Sequence, residues 1–414
     1  MIVKPELVRG AGKERLRAGL IGAGQRGSQA VVDMMTGTEN IDLVAVGDLF
    51  EDKLETSLRG FAGKPGYEQW KHRIKVEPDM RFVGFDAFKK VMASDVDYVM
   101  LATPPGYRPE HFEAAINANK HVFCEKPFGT DAMGVQRFMA AAKKSEEKKL
   151  TVVSGAQRRF SRDYQDSVQK IQDGAIGDVR ALYAHWIDKP VFPIKTPELR
   201  KPDWGEMTWQ HRQWYSYVWL CGDQIVEQHL HNIDVCNWVM DAHPVSVVAS
   251  GGASWRPNAP EFYGNIFDHI VAEFVYPNGA RLMSHCRQFP VGSYMNVSEL
   301  VVGSKGSSNV HDLGAGTGQD VRTKFKDPLE NPYVREHMAF AHSVRGDGPY
   351  INHAMRVAES TMTCIMGREA AYSGLELTWE MMMNSKQNLQ PKAFGYDLPL
   401  DIPARPVPGE YKFV

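Results

Sequence analysis

The chain has 414 residues, in which 48 Lys and Arg offset 50 Asp and Glu for a formal charge of −2. That balance excludes a basic nucleic-acid binder and an acidic disordered tail. No apolar run is long enough to span a bilayer, and 43% hydrophobic residues can fill the cores of two or three domains. The five cysteines (Cys124, Cys221, Cys236, Cys286 and Cys364) form no CxxC pair, so reduced thiols are expected rather than a disulfide framework or a zinc knuckle. Met1–Arg17 lacks the apolar centre of a Sec signal. A cytoplasmic protein is the expectation, or a periplasmic one if a twin-arginine leader has been trimmed.

In chain order, apolar runs at Leu16–Ile21, Ile41–Val46, Asp97–Ala102, His121–Cys124 and Leu150–Val153 alternate with helical patterns. The helical patterns are Gln25–Met35, Glu51–Arg59, Ala87–Met92, Pro109–Ala118 and Ala132–Lys143. Continuous apolar strands between helices predict a doubly wound parallel sheet, an α/β Rossmann-type domain over residues 1–155. Beyond it, strand-like runs lie close together at Val179–Ile187, Val245–Gly251, His269–Tyr276, Arg281–Cys286 and Ser298–Val302, with a Pro277-Asn278-Gly279 turn between two of them. This spacing predicts an α+β second domain, 156–414, built on a largely antiparallel open sheet. Helices are expected at Arg335–Val344 and Ala354–Tyr372. The proline-rich tail from Gln390 should drape over the surface or a neighbouring subunit.

The run Gly22-Ala23-Gly24-Gln25-Arg26-Gly27 is a G-x-G-x-x-G between the first strand and the first helix. Gly22 suits a tight turn, Gly24 lets backbone approach a pyrophosphate, and Gly27 allows close helix–strand packing. The amides of the following helix then face the phosphates. Asp48 ends the next strand, 21 residues after Gly27, where a carboxylate binds ribose hydroxyls. No arginine follows it to take a 2′-phosphate, so NAD is expected rather than NADP.

The chain continues with Thr103-Pro104-Pro105, then His111, then Glu125-Lys126-Pro127 at the end of a strand. With the glycine turn, this order resembles the Gfo/Idh/MocA family, the glucose–fructose oxidoreductase and inositol dehydrogenase relatives, over Arg17 to about Trp379. The resemblance implies that Thr103, Pro104, Pro105, His111 and Glu125 help to bind the cofactor. It also implies that Lys126 touches both cofactor and substrate as a catalytic lysine, and that the Lys126–Pro127 bond is cis. A homo-oligomer, dimer or tetramer, formed through the open face of the second sheet is implied as well.

The family's D-x-G-x-H-x-x-D segment falls on Glu227, His229, His231 and Asp234. Its catalytic aspartate is thus replaced by Glu227, its histidine is His231, and its glycine is replaced by His229. Apolar spacing at Ile225, Val226, Leu230 and Ile233 predicts a helix, on which Glu227 and His231 share a face. An imidazole is well suited to take the proton of a secondary alcohol as hydride leaves its carbon. On such a helix His229 and His231 point apart, so no metal site is expected.

Five tryptophans (Trp186, Trp204, Trp209, Trp214 and Trp219) crowd one proline-punctuated insertion. Indole faces beside polar groups suit a pyranose or cyclitol ring. Trp214, Tyr183, His185 and His229 are therefore candidate substrate contacts, with Arg158 in Gln157-Arg158-Arg159 for any acidic group. The expected activity is NAD-dependent oxidation of a secondary alcohol on a sugar, glycoside or cyclitol. The alternative is an NAD-recycling glycosidase that oxidises C3 transiently, eliminates the aglycone, adds water and restores the hydride. That chemistry needs an additional acid/base, for which Tyr183, His185 and His229 are candidates.

Overall fold

Six strands, β1 (Leu16–Ile21), β2 (Ile41–Asp48), β3 (Arg81–Val83), β4 (Tyr98–Leu101), β5 (His121–Cys124) and β6 (Val152–Ser154), form one sheet in the order β3-β2-β1-β4-β5-β6. Every pairing is parallel. β4 and β5 are buried at every residue and β1 at all but one, as strands covered on both faces must be. β3, which the apolar pattern does not reveal, is three residues at the sheet edge with no buried side chain. The strand order reverses between β1 and β4, and their carboxyl ends define the crevice where such sheets bind ligands.

The computed structural model describes residues 15–313 and 327–414. They divide into two compact units, 15–128, 137–161 and 327–357 in the first, and 129–136, 162–313 and 358–414 in the second. The helix Pro332–Arg345, which the sequence reading places in the second domain, belongs to the first unit and packs on the helix Gln25–Gly37 (α1). Its Phe340, Ala341 and Val344 complete the core that Ala30, Val31 and Met34 of α1 begin. The chain next runs beside β6, where Val152 donates to Ile351 and His353 donates to Val152. That extra pairing covers an edge that would otherwise be open.

The second unit is built on β7 (Val179–Asp188), β8 (Ser246–Gly252), β9 (His269–Val275), β10 (Arg281–Gln288), β11 (Asn296–Gly303), β12 (Ser307–Ser308) and β13 (Leu377–Thr378). Their order is β12-β11-β7-β10-β9-β8-β13, and only the central β7–β10 pair is parallel. Side chains alternate between a buried face and an open one. The open face carries Tyr183, Val248, Val271 and Met283, all exposed. The tail from Gln390 lies on its own unit: Thr208 and Asn265 donate to its carbonyls at Tyr396 and Pro403, and Tyr411 donates to Glu369.

Candidate active site

In the first unit the glycine turn follows β1 directly. Gly22 has φ +96°, and a Cβ there would lie 2.6 Å from the carbonyl carbon of Ala102 just beyond β4. A Cβ on Gly27 would sit 2.0 Å from the carbonyl oxygen of Gly22, so any larger residue at either place pushes the turn off the sheet. Gly24 differs: a Cβ there would meet nothing within 4 Å. It begins α1 without a side-chain cap, and Gln25 beside it is exposed. Open space against uncapped helix amides is what a pyrophosphate requires.

Asp48 closes the other side of this cradle. One carboxylate oxygen accepts from the Ala23 amide at 2.7 Å and the other from the Phe50 amide at 2.9 Å. Burial raises its pKa, and the two amide bonds work against that shift. Each oxygen retains acceptor capacity for a ribose hydroxyl. The residues present therefore fit a dinucleotide.

Thr103 follows β4, with its hydroxyl 3.3 Å from His111 Nδ1. His111 is buried, stacked on Phe88 at 4.2 Å, and burial lowers its pKa to about 3. It is thus a neutral support for the Thr103 loop. Pro104 precedes, and Pro105 opens, a short 3-10 turn.

Glu125-Lys126-Pro127 extends β5, and the Lys126–Pro127 peptide is cis. Glu125 is held in two ways. Its carboxylate fills the space that a Cβ on Gly155 would take, 2.4 Å away, and it accepts from Arg26 Nε at 2.5 Å. Arg26 also reaches Asp33 at 3.1 Å and Glu336 at 3.2 Å, and its guanidinium lies over the Tyr333 ring at 4.8 Å. Three carboxyl groups raise the pKa of this arginine against the effect of burial, and burial keeps Glu336 well above the usual carboxylate range. The Arg26 side chain, expected at the cofactor, is instead the hub that fixes Glu125. Lys126, the next residue, is buried. Arg158 is buried in this same unit rather than in the second, near enough to Tyr333 to lower its pKa against the rise that burial causes.

In the second unit the segment with Glu227 and His231 begins at two left-handed residues, Gly222 (φ +82°) and Asp223 (φ +80°). Such a φ on an aspartate is costly and needs support. The Asp223 carboxylate accepts from Phe267 N at 2.8 Å and from the Tyr372 hydroxyl, while Arg368 donates to the Gly222 carbonyl at 3.0 Å. The expected helix is present, but its first turn, Ile225–His229, is a π-helix, and the α-helix runs only over Leu230–Met240. The wider turn changes the angular offset between Glu227 and His231 from that of a regular helix, and such turns are frequent at functional sites. His231 is buried and stacked on Trp186 at 5.7 Å, with the rings 25° apart. Glu227 is buried, and its charge helps to raise the pKa of the Tyr215 hydroxyl, on which burial acts most strongly.

Three expected substrate contacts sit elsewhere. Strand alternation turns Tyr183 and His185 to the open face of the sheet, whereas Trp186 between them and Ile187 is buried on the other. His229 is fully buried with Nε2 2.8 Å from the Ser284 hydroxyl of β10, so it braces this segment to the sheet. Trp214 meets Phe192 and Tyr215 edge-on. Trp209 and Trp219 are buried, and Trp219 donates to Gln210 at 2.7 Å. Much of the tryptophan cluster therefore packs its own insertion. Sequence reasoning missed Trp186 as the ring beside His231, for which period-2 alternation along β7 was the available signal. Among the described residues no group of His, Cys, Asp and Glu is arranged to hold a metal ion, and the five cysteines are buried and joined in no disulfide.

A parallel sheet of order 3-2-1-4-5-6, with a glycine turn and a strand-end aspartate at its switch point, defines a dinucleotide-binding protein. The family model for the GFO/IDH/MocA oxidoreductases with an NAD-binding Rossmann fold matches residues 16–154, and that for their C-terminal domain matches 164–309. The chain belongs to this family of NAD-dependent oxidoreductases. It is similar to an inositol 2-dehydrogenase of Rhodococcus jostii (strain RHA1), 30% identical over 81% of this chain and 83% of that protein. It is also 27% identical to an inositol 2-dehydrogenase of Rhizobium meliloti (strain 1021), over 57% of this chain and 58% of the relative. A solved scyllo-inositol dehydrogenase from Lactobacillus casei, with bound NAD(H) and scyllo-inositol, shares the fold with a TM-score of 0.64 at 18% identity, over 88% of this chain and 99% of that one. No helix among the described residues is long and apolar enough to cross a membrane.

Proposed function

We propose that this protein oxidises a secondary alcohol of a cyclitol or sugar with NAD. The observation that carries the reading is Lys126: a buried lysine at the carboxyl end of β5, directly after a glutamate clamped by Arg26 and Gly155. NAD bound at the glycine turn supplies the acceptor for the hydride that leaves the substrate carbon. Lys126 hydrogen-bonds the reacting hydroxyl and steadies the negative charge that develops on its oxygen. His231, its ring set by Trp186, takes the hydroxyl proton, and Glu227 orients the substrate. The named relatives that act on inositols support a polyol substrate. The open sheet face with Tyr183, Val248, Val271 and Met283 is the surface through which copies of this chain would associate.

The glycosidase alternative gains no support, because His185 and Tyr183 lie on the open face and His229 is engaged by Ser284. The test is to incubate the protein with NAD and a panel of cyclitols, free sugars and aryl glycosides, following NADH absorbance and aglycone release together. Stoichiometric NADH from a cyclitol or sugar is the expected result. Aglycone release without net NADH would overturn the reading.

A further inference from the structure

Arg256 of the second unit is 5% exposed, yet its Nε and Nη1 have no hydrogen-bond partner among the described residues. The nearby acid serves its backbone and not its side chain: Asp268 accepts from the Arg256 amide at 3.3 Å. Asp268 spends its oxygens on the loop backbone, accepting from Ser254 N at 2.8 Å and Trp255 N at 3.0 Å, and from His269 Nδ1 at 2.7 Å. A second arginine, Arg405 of the C-terminal tail, donates to the Arg256 and Pro257 carbonyls, and its own Nε is also buried without a partner. Burial lowers the pKa of both guanidinium groups, and that of Arg405 is lowered further by Arg256. Two guanidinium groups brought together with no ion pair among the described residues are costly to the fold.

The surroundings say what could offset that cost. Trp255 donates its indole N–H to the Gln288 carbonyl at 2.7 Å, and the Gln288 amide donates to the Tyr215 hydroxyl at 2.7 Å. Through Trp255 and Gln288 the chain beside Arg256 is thus joined to the Tyr215 hydroxyl, whose pKa burial and the Glu227 charge both raise. Gln288 Oε1 is a further buried atom with no partner among the described residues.

We infer that Arg256, supported by Arg405, binds an anionic substituent, carboxylate or phosphate, on the sugar or cyclitol that this protein acts on. Guanidinium pairs with either group by charge-assisted hydrogen bonds. The inference rests on the proposed dehydrogenase reading for what is bound, but not for the anion itself.

The test titrates the full chain, saturated with NAD, with D-glucuronate, D-glucose 6-phosphate and D-glucose by calorimetry. One acidic sugar should bind about 10- to 100-fold more tightly than glucose, the range for hydrogen bonds to a charged group. Which acid binds tells carboxylate from phosphate. In Arg256→Met that preference should collapse while Tm holds or rises, because an unpaired buried charge has been removed. Arg256→Lys, which keeps the charge, should retain part of the preference if the methionine variant does not fold. Equal affinity for all three sugars, or no measurable binding of either acid, would overturn the inference. So would an Arg256→Met protein of lower Tm with its preference intact, since that is a structural arginine. Arg256-dependent binding without NADH formation would leave the anion site standing and sink the dehydrogenase reading instead.

Discussion

Arg26 in the first unit and Arg256 in the second are both arginines drawn into the protein, and they are treated in opposite ways. Arg26 meets Glu125, Glu336 and Asp33 and lies over Tyr333. The Arg256 guanidinium lies over the Trp255 ring at 5.4 Å and has a second arginine beside it, but among the described residues it pairs with no carboxylate. A charge surrounded by counter-charges is scaffold: it fixes Glu125 and, through the chain, Lys126. A buried charge left unmatched is set for something that arrives. The first unit thus presents a site finished by the chain itself, and the second presents one that a ligand completes.

Breaking the finished half at its reacting group should have the largest effect. Lys126→Met should lower NADH formation by about 10²- to 10⁴-fold, with Tm close to that of the unaltered protein. A variant retaining most activity would mean that the clamp on Glu125 serves no catalytic lysine. Next comes the clamp. Arg26→Met leaves three carboxyl groups facing one another, a loss of about 3 kcal/mol; the low end of the usual range applies because the Arg26 side chain is 32% exposed. Burial already holds Glu336 well above its ordinary value of 4.5, and Glu125 and Asp33 add to that. A carboxyl with a raised pKa in the folded state contributes stability at low pH that is lost as pH rises. The deficit of the variant in urea unfolding should therefore be smaller at about pH 5 than at about pH 8, and the opposite ordering would refute the clamp.

Asp48→Ala should weaken NAD binding about tenfold, the worth of one charged hydrogen bond, and NADP binding less, as titration of both cofactors would reveal. The smallest effect is a slope. His111 is neutral when folded, with its pKa lowered from 6.5 to about 3 by burial, so the unfolded chain binds the extra proton. Stability is then full above 6.5 and falls as pH drops towards 3. His111→Phe should flatten part of that acid-side decline in thermal melts. An unchanged slope would show that His111 titrates normally.

The two units also differ in how much of them the sequence discloses. Strand ends at Ile21, Asp48 and Cys124 and the glycine turn are set by local spacing. Hence Gly22, Gly27, Asp48 and Glu125-Lys126-Pro127 could be read directly from the chain. What the spacing hides in that unit is distant: Glu336 lies 310 residues from Arg26, on a helix the sequence order assigns to the other domain. In the second unit almost everything is of that kind. The π-helical turn at Ile225–His229 depends on the bracing of Gly222 and Asp223 by Arg368 and Tyr372. The meeting of Arg256 and Arg405 spans 149 residues. Alternation separates Tyr183 and His185 from Trp186, but which face of β7 is buried is set by what packs on the sheet.

In the proposed reaction, hydride transfer from a polyol depends on a proton acceptor in the second unit while the cofactor is held by the first. His231→Ala tests it most directly, with NAD affinity measured by fluorescence titration alongside NADH formation from the best polyol of the panel. Turnover should fall by about 10²-fold or more with NAD affinity within about twofold of the unaltered protein, a change worth less than the weakest single hydrogen bond. Turnover that survives, or NAD binding that falls along with it, would rule out His231 as the proton acceptor.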